Sequence, residues 1–222
     1  MKFIKISSTD PVVEFLTARL QTALQAGKRV LWLVPGGSSI AIAAAVSQNL
    51  QGTDVHNLMV TLTDERFGTV GHKDSNWKQL ADAGFSLPGA HLSPVLDGSG
   101  DRPHTTMQFA NTLQELYRQS DYKLGFFGMG ADGHTAGNIP GSPAVTSLEF
   151  AASFDGSFQR ITMTPIAIAQ LDEAVVYAVG EEKKPALEQL QQDLPLETQP
   201  AQALKKIPEL TIFNDQTGEA TL

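Results

Sequence analysis

Val30-Leu31-Trp32-Leu33-Val34-Pro35-Gly36-Gly37-Ser38-Ser39 decides how this chain is to be read. Its first five residues are an unbroken apolar run of strand length, as expected of a strand covered on both faces in a parallel sheet. Gly36 and Gly37 then turn the chain, and Ser38 or Ser39 is placed to cap a helix running to about Leu50. On the amino-terminal side, Asp10-Pro11 reads as an N-cap followed by proline at the first helical position. Val12, Leu16, Leu20 and Ala23 then share one face of a helix that stops at Gly27. On the carboxyl side, Leu58 to Thr63 reads as the next strand and Asn76 to Ala83 as a helix. Asp97 to Pro103 reads as a surface loop and Thr105 to Gln119 as a helix feeding the strand Leu124 to Phe127. Ala174 to Val179 is a late buried strand, Lys183 to Gln192 a helix, and Leu210 to Phe213 a last strand. Strands alternating with helices predict an α/β fold: an open, mostly parallel, Rossmann-like sheet with helices on both faces. No repeat or linker divides residues 1–222, so one domain is expected.

Composition narrows the function classes. The chain has 222 residues, of which 41% are hydrophobic and 18% charged, and a formal net charge of -8. An acidic balance argues against a nucleic-acid partner, which calls for a basic face. No apolar run reaches the ~18 residues of a membrane span, and Met1 to Ile6 lacks the apolar core of a signal peptide. There are no cysteines, which removes disulfide and thiolate chemistry. The expectation is a cytoplasmic protein without a membrane partner, a monomer or small homo-oligomer.

Ligands of such sheets bind beyond the carboxyl ends of the strands, and three post-strand segments carry unusual chemistry. Gly36-Gly37-Ser38 lets backbone approach an anion at a helix start, where free N–H groups and the dipole favour negative charge. It is not a Walker A loop, because no Gly-Lys-Ser/Thr comes after it. Asp64-Glu65-Arg66 sets an acidic pair beside an arginine that can hold a phosphate or polarise a carbonyl. Ser75-Asn76 can return to the same cleft. Gly128-Met129-Gly130-Ala131-Asp132-Gly133-His134-Thr135-Ala136 sets a histidine two residues from an aspartate in a Gly-rich loop, a general-base arrangement.

Gly128, Gly130 and Gly133 also spell the dinucleotide fingerprint. That fingerprint should open a helix in the first βα unit. Here it comes late, and Gly137 and Pro140 make the next segment a poor helix, so no nicotinamide cofactor is expected. His72 and Asp74 lack a third ligand at a helpful spacing, so no metal is expected either.

Val34 to Ser39, Asp64-Glu65-Arg66, Asp74-Ser75-Asn76, Gly128 to Ala136, Arg160-Ile161-Thr162-Met163-Thr164 and Gly180-Glu181-Glu182-Lys183 together resemble the ordered motifs of 6-phosphogluconolactonases. The resemblance implies the fold shared with glucosamine-6-phosphate deaminases. It also implies metal-independent hydrolysis of the sugar-phosphate lactone 6-phosphoglucono-1,5-lactone, in the oxidative pentose phosphate pathway. His134 would be the base, steered by Asp132. Arg66 and Lys183 would hold the phosphate with help from Arg160, against Gly36, Gly37 and Ser38. Asp64, Asn76 and the backbone of Gly130 would complete the substrate site.

The chain departs from the family pattern in two places. Ser39-Ile40 replaces Thr-Pro in the first loop, and Ala136-Gly137-Asn138-Ile139-Pro140 drifts toward the deaminase pattern. In that pattern a glutamate completes a proton relay, and its position here is Ile139, which cannot exchange a proton. Hydrolysis is therefore expected over deamination. A deaminase/isomerase with a rerouted relay and a non-catalytic sugar-phosphate-binding protein are the alternatives.

Overall fold

A computed structural model describes residues 1–220. The first strand, β1 (Lys2–Lys5), leads into α1 (Asp10–Gln25), β2 (Val30–Val34), α2 (Ile40–Asn49) and β3 (Leu58–Leu62). The chain continues through β4 (Asp64–Arg66), α3 (Asn76–Asp82), β5 (His91–Ser93), α4 (Arg102–Gln119) and β6 (Tyr122–Gly128). It then runs through β7 (Ala151–Asp155), β8 (Gln159–Met163), α5 (Pro165–Ile168), β9 (Glu173–Ala178), α6 (Lys184–Leu190), β10 (Glu209–Asn214) and β11 (Glu219–Ala220).

Eight strands form the main sheet in the order β11-β1-β10-β9-β6-β2-β3-β5, and every pair in it is parallel. All five residues of β2 and all five of β3 are buried, as strands covered on both faces require. Crossovers between parallel strands are right-handed. The connections through α1, α2 and α3 step one way across the sheet and those through α4, α5 and α6 step the other, so the two sets lie on opposite faces. α2 indeed packs against both α1 and α3. The expected face of α1 is the buried one, since Val12, Leu16 and Leu20 are fully covered and Ala23 nearly so. Each such leucine contributes about 1.5–3 kcal/mol of burial.

A second sheet, β4-β8-β7, is antiparallel and is not expected from the sequence. It begins immediately after β3, so the chain passes from one sheet to the other at Thr63, itself fully buried. β1, β5 and α5 are likewise absent from the sequence reading; each is four residues or fewer, too short to display a period.

Several local expectations are corrected. Asp10 is the first helical residue and Thr9 the N-cap, with no side-chain cap hydrogen bond. Neither Ser38 nor Ser39 caps α2 through its side chain. Gly37–Ser39 forms a 3-10 turn, and Ser39 already has helical backbone angles (φ -81, ψ -11), so its hydroxyl does not reach the first-turn amides. α4 starts at Arg102 because Asp101 accepts from the amide of His104 at 2.9 Å, which takes Arg102 and Pro103 out of the expected loop. The remaining expected elements are present with ends moved by a few residues, as helix and strand termini commonly are.

Candidate active site

β2 and β6 are neighbours, but the chain proceeds from β2 toward β3 and from β6 toward β9. This is the topological switch point of the sheet, where the loops after adjacent strands diverge and leave a crevice. A cavity of about 230 Å³ lies there. Gly36, Gly37, Ser38 and Ser39 enter it from the end of β2, Gly130 and His134 from β6, and Lys183 from beyond β9. Asp64, Arg66 and Arg160 enter from the second sheet, and Asn76 from the start of α3. Every candidate site residue therefore lines one cavity, with the exception of Asp132.

Asp132 is joined to the cavity through His134. Its Oδ1 lies 2.6 Å from His134 Nδ1 and accepts the backbone amide of His134 at 3.1 Å. Burial pulls the Asp132 carboxyl upward, but the amide, charge and ring of His134 together hold it below its ordinary value. An ionised carboxylate can only accept, so in the neutral form of the imidazole the proton sits on Nδ1 and Nε2 is the ring nitrogen with a free lone pair. The loop around this pair is closed by hydrogen bonds from the Gly130 amide to the His134 carbonyl (2.9 Å) and from the Gly133 amide to the Gly130 carbonyl (3.0 Å). The amide of Gly130 is thus already committed. What Gly130 contributes is space, because a Cβ there would run into His134 Nδ1 and Asp132 Oδ1.

The loop is also stapled to β8. The amide of Gly137 donates to Thr162 Oγ1 at 2.9 Å, and a Cβ on Gly137 would stand 2.7 Å from Thr162 Cβ. Asn138 is fully buried and its Nδ2 donates to the carbonyl of Met163 at 2.9 Å. The atypical Gly137-Asn138 pair therefore fixes the histidine loop against the second sheet. Ala136, just before it, has φ 49, a left-handed conformation that non-glycine residues rarely hold without surrounding support.

Strand alternation explains the second sheet's contribution. In β4, Asp64 and Arg66 share a face, and their partners in β8 are Thr162 and Arg160. Asp64, Arg66 and Arg160 line the cleft, and Thr162 meets the histidine loop. Glu65 points the other way and is fully buried. Its carboxylate accepts from the amides of Arg66 (2.7 Å), Asn76 (2.6 Å) and Trp77 (3.1 Å) and from the Ser75 hydroxyl (2.9 Å). Burial pushes the Glu65 carboxyl above its ordinary value, with the four donors pulling against it. Glu65 thereby caps the amino end of α3 and holds Asn76, whose Nδ2 donates to the Asp64 carbonyl at 2.9 Å. Sequence reading gives Glu65 no such role. Its place in the acidic pair after β3 is the signal the sequence carries.

The cleft is cationic within an acidic protein. Arg66, Arg160 and Lys183 line it, opposed there by the carboxylate of Asp64, whose Oδ2 lies 3.7 Å from Arg160 Nη1. Ser39, Arg66 and Asn76 line it, and their Oγ, Nε and Oδ1 atoms are buried without a hydrogen-bond partner. Such groups are costly to leave unpaired. Ser39 reads as a cap in the sequence; its burial on the cavity wall is what reassigns it. Tyr177, also on the lining, stands opposite Gly128 in the β6–β9 ladder and is legible only as part of a buried strand.

An open α/β sheet with cations and helix-start amides at its switch point, beside a carboxylate-oriented histidine, defines a protein that receives a small anionic molecule and can move a proton on it. Similarity to known proteins carries this further. The chain belongs to the family described as glucosamine-6-phosphate isomerases/6-phosphogluconolactonase, whose model matches residues 7–212. It is 31% identical over 211 residues to a 6-phosphogluconolactonase of Neisseria meningitidis, covering 84% of this chain and 83% of that one. In fold it is similar to a 6-phosphogluconolactonase from Shewanella baltica, with a TM-score of 0.82 at 20% identity over 96% of this chain and 97% of that one. It is likewise similar to a monomeric glucosamine-6-phosphate deaminase, with a TM-score of 0.80 at 17% identity over 96% and 97%. The expected deaminase-like fold is therefore the observed one. No helix among the described residues is long and apolar enough to cross a membrane.

Proposed function

We propose that this chain is a 6-phosphogluconolactonase acting in the cytoplasm as a single catalytic domain, without a metal. The observation that carries the proposal is the Asp132–His134 pair on the edge of a cavity shared by three cations. Arg66 and Lys183, with Arg160 beside them, take the 6-phosphate. The amides of the Gly37–Ser39 turn, which as the first of a helical segment lack intrahelical acceptors, receive its remaining oxygens. Asn76 and Asp64 face the sugar hydroxyls.

His134 Nε2 removes a proton from water as that water adds to C1 of the lactone. A cationic or amide donor of the cleft meets the oxyanion as it forms. Collapse of the tetrahedral intermediate breaks the C1–O5 bond, and the proton held by His134 passes to O5, which leaves as the C5 hydroxyl of 6-phosphogluconate. Deamination is disfavoured by Ile139, a partly buried aliphatic side chain where the deaminase pattern carries a glutamate.

The test is the rate of lactone loss above the spontaneous rate, with 6-phosphogluconolactone generated in situ from glucose 6-phosphate. Acceleration by the protein, without ammonia release from glucosamine 6-phosphate, is the expected result. Ammonia release without lactone hydrolysis would transfer the assignment to the deaminases.

Lys183 offers a separate check. Its side chain is largely covered, and the nearest carboxylate oxygen, on Glu182, is 3.9 Å away, a loose ion pair. Lys183→Ala should raise KM by roughly 10- to 100-fold, the range of a charge-assisted hydrogen bond, and lower kcat far less. An unchanged KM would remove Lys183 from the phosphate subsite.

A further inference from the structure

Arg66 and Arg160 are direct cross-strand partners in the β4–β8 ladder, and like charges so placed repel. Their fixed contacts are few. Arg66 Nη1 donates to the carbonyl of Asp74 at 2.9 Å, and Arg160 has the distant carboxylate of Asp64. An aromatic ring lies beside both guanidinium ions. Arg66 Cζ lies 5.0 Å and Arg160 Cζ 5.6 Å from the centroid of the Phe158 ring.

Phe158 is 36% exposed, does not line the cavity, and sits in the turn joining β7 to β8. That turn is itself held. The amide of Gly156 donates to the Phe158 carbonyl at 3.1 Å, and Arg102 at the start of α4 grips Asp155 with two hydrogen bonds of 2.5 and 2.9 Å. A ring face attracts cations within about 6 Å of its centroid, so one ring can offset the repulsion between two cations that share it.

We infer that Phe158 is a positioning residue for the arginine pair, keeping both guanidinium groups side by side and turned to the cleft before a phosphate arrives. The inference rests on the proposal that these arginines hold the phosphate of the substrate. Phe158 touches no reacting atom, so its effect falls on binding.

The test uses the full-length protein and four variants, Phe158→Leu, Phe158→Trp, Arg66→Ala and Arg160→Ala. KM and kcat for the lactone, inhibition by inorganic phosphate, and the melting temperature are measured for each. Phe158→Leu should raise KM and the phosphate inhibition constant about tenfold, leave kcat within about twofold, and leave the melting temperature near wild type. Phe158→Trp, which keeps a π-face, should restore both constants to near wild type.

If Phe158→Leu leaves both constants unchanged while the arginine variants raise them, the phosphate subsite stands and the role of Phe158 falls. If leucine and tryptophan impair binding equally, or kcat falls and KM does not, positioning through the ring face is overturned. If neither arginine variant alters KM or phosphate inhibition, the subsite assignment itself is lost. Phe158→Met serves as a second non-aromatic variant should the leucine protein not fold.

Discussion

His134→Ala is expected to lower kcat on 6-phosphogluconolactone by about 10²–10⁴-fold, the usual worth of a positioned general base, while KM changes by less than about threefold. The lining supports this split. The proposed phosphate subsite, Arg66, Arg160, Lys183 and the Gly37–Ser39 turn, lines the same cavity, and none of these residues is hydrogen-bonded to the imidazole. Asp132→Asn is the informative companion. An asparagine can offer its amide nitrogen to Nδ1 in place of an acceptor, which favours the tautomer with the proton on Nε2 and so disables the base. Its kcat should fall by a smaller factor, on the order of tenfold or more, because the ring remains in the cleft. Steady-state kinetics with the spontaneous hydrolysis subtracted decide the matter. A large rise in KM with kcat preserved would make His134 a binding residue and leave the base unassigned.

The second large effect is on stability. Glu65→Ala should lower the free energy of unfolding by about 3–5 kcal/mol, since three backbone amides and a hydroxyl lose a buried acceptor together, and each orphaned group costs about 1–3 kcal/mol. Partial relaxation of α3 toward solvent keeps the sum below the simple total. Urea unfolding tracked by circular dichroism gives the number. A loss under about 1 kcal/mol, small for breaking a buried network, would show that water replaces the carboxylate with little penalty. The protein that remains folded should also bind substrate poorly, because the backbone amides of Asn76 and Arg66 both donate to this carboxylate.

The two halves of the fold differ in how openly the sequence displays them. β2 is legible because burial on both faces forces an uninterrupted apolar run, and the glycines after it announce the switch point. α1 is legible because its covered face repeats at helical spacing. The second sheet is not, for a physical reason: β4 is three residues long and all three are charged. Its strand character comes from β8, whose Arg160 pairs with Arg66 only in the folded chain. Glu65 is unreadable for a related cause, since a carboxylate tolerates burial only where donors converge, and its donors come largely from residues 75–77. Asp64, Arg66 and Arg160 stand out by chemistry and motif, without the ladder that sets them on one face. Gly137 and Asn138 look like drift toward another activity; in space they are the joint between the histidine loop and β8.

The place of β1 has a consequence for the order of events in folding. Lys2 pairs with Thr211 and Ile4 with Glu219, so this strand, synthesised long before its neighbours, is seated between them. Those partners leave the ribosome only after nearly all of the described residues, and non-local pairings of this kind slow folding. Until then its unpaired edge is available to other chains. Yet the cavity residues, from Pro35 to Lys183, all belong to the span between. A nascent chain can therefore assemble the catalytic crevice first and close the sheet last, and its growing edge is the interval in which a chaperone would have most to protect.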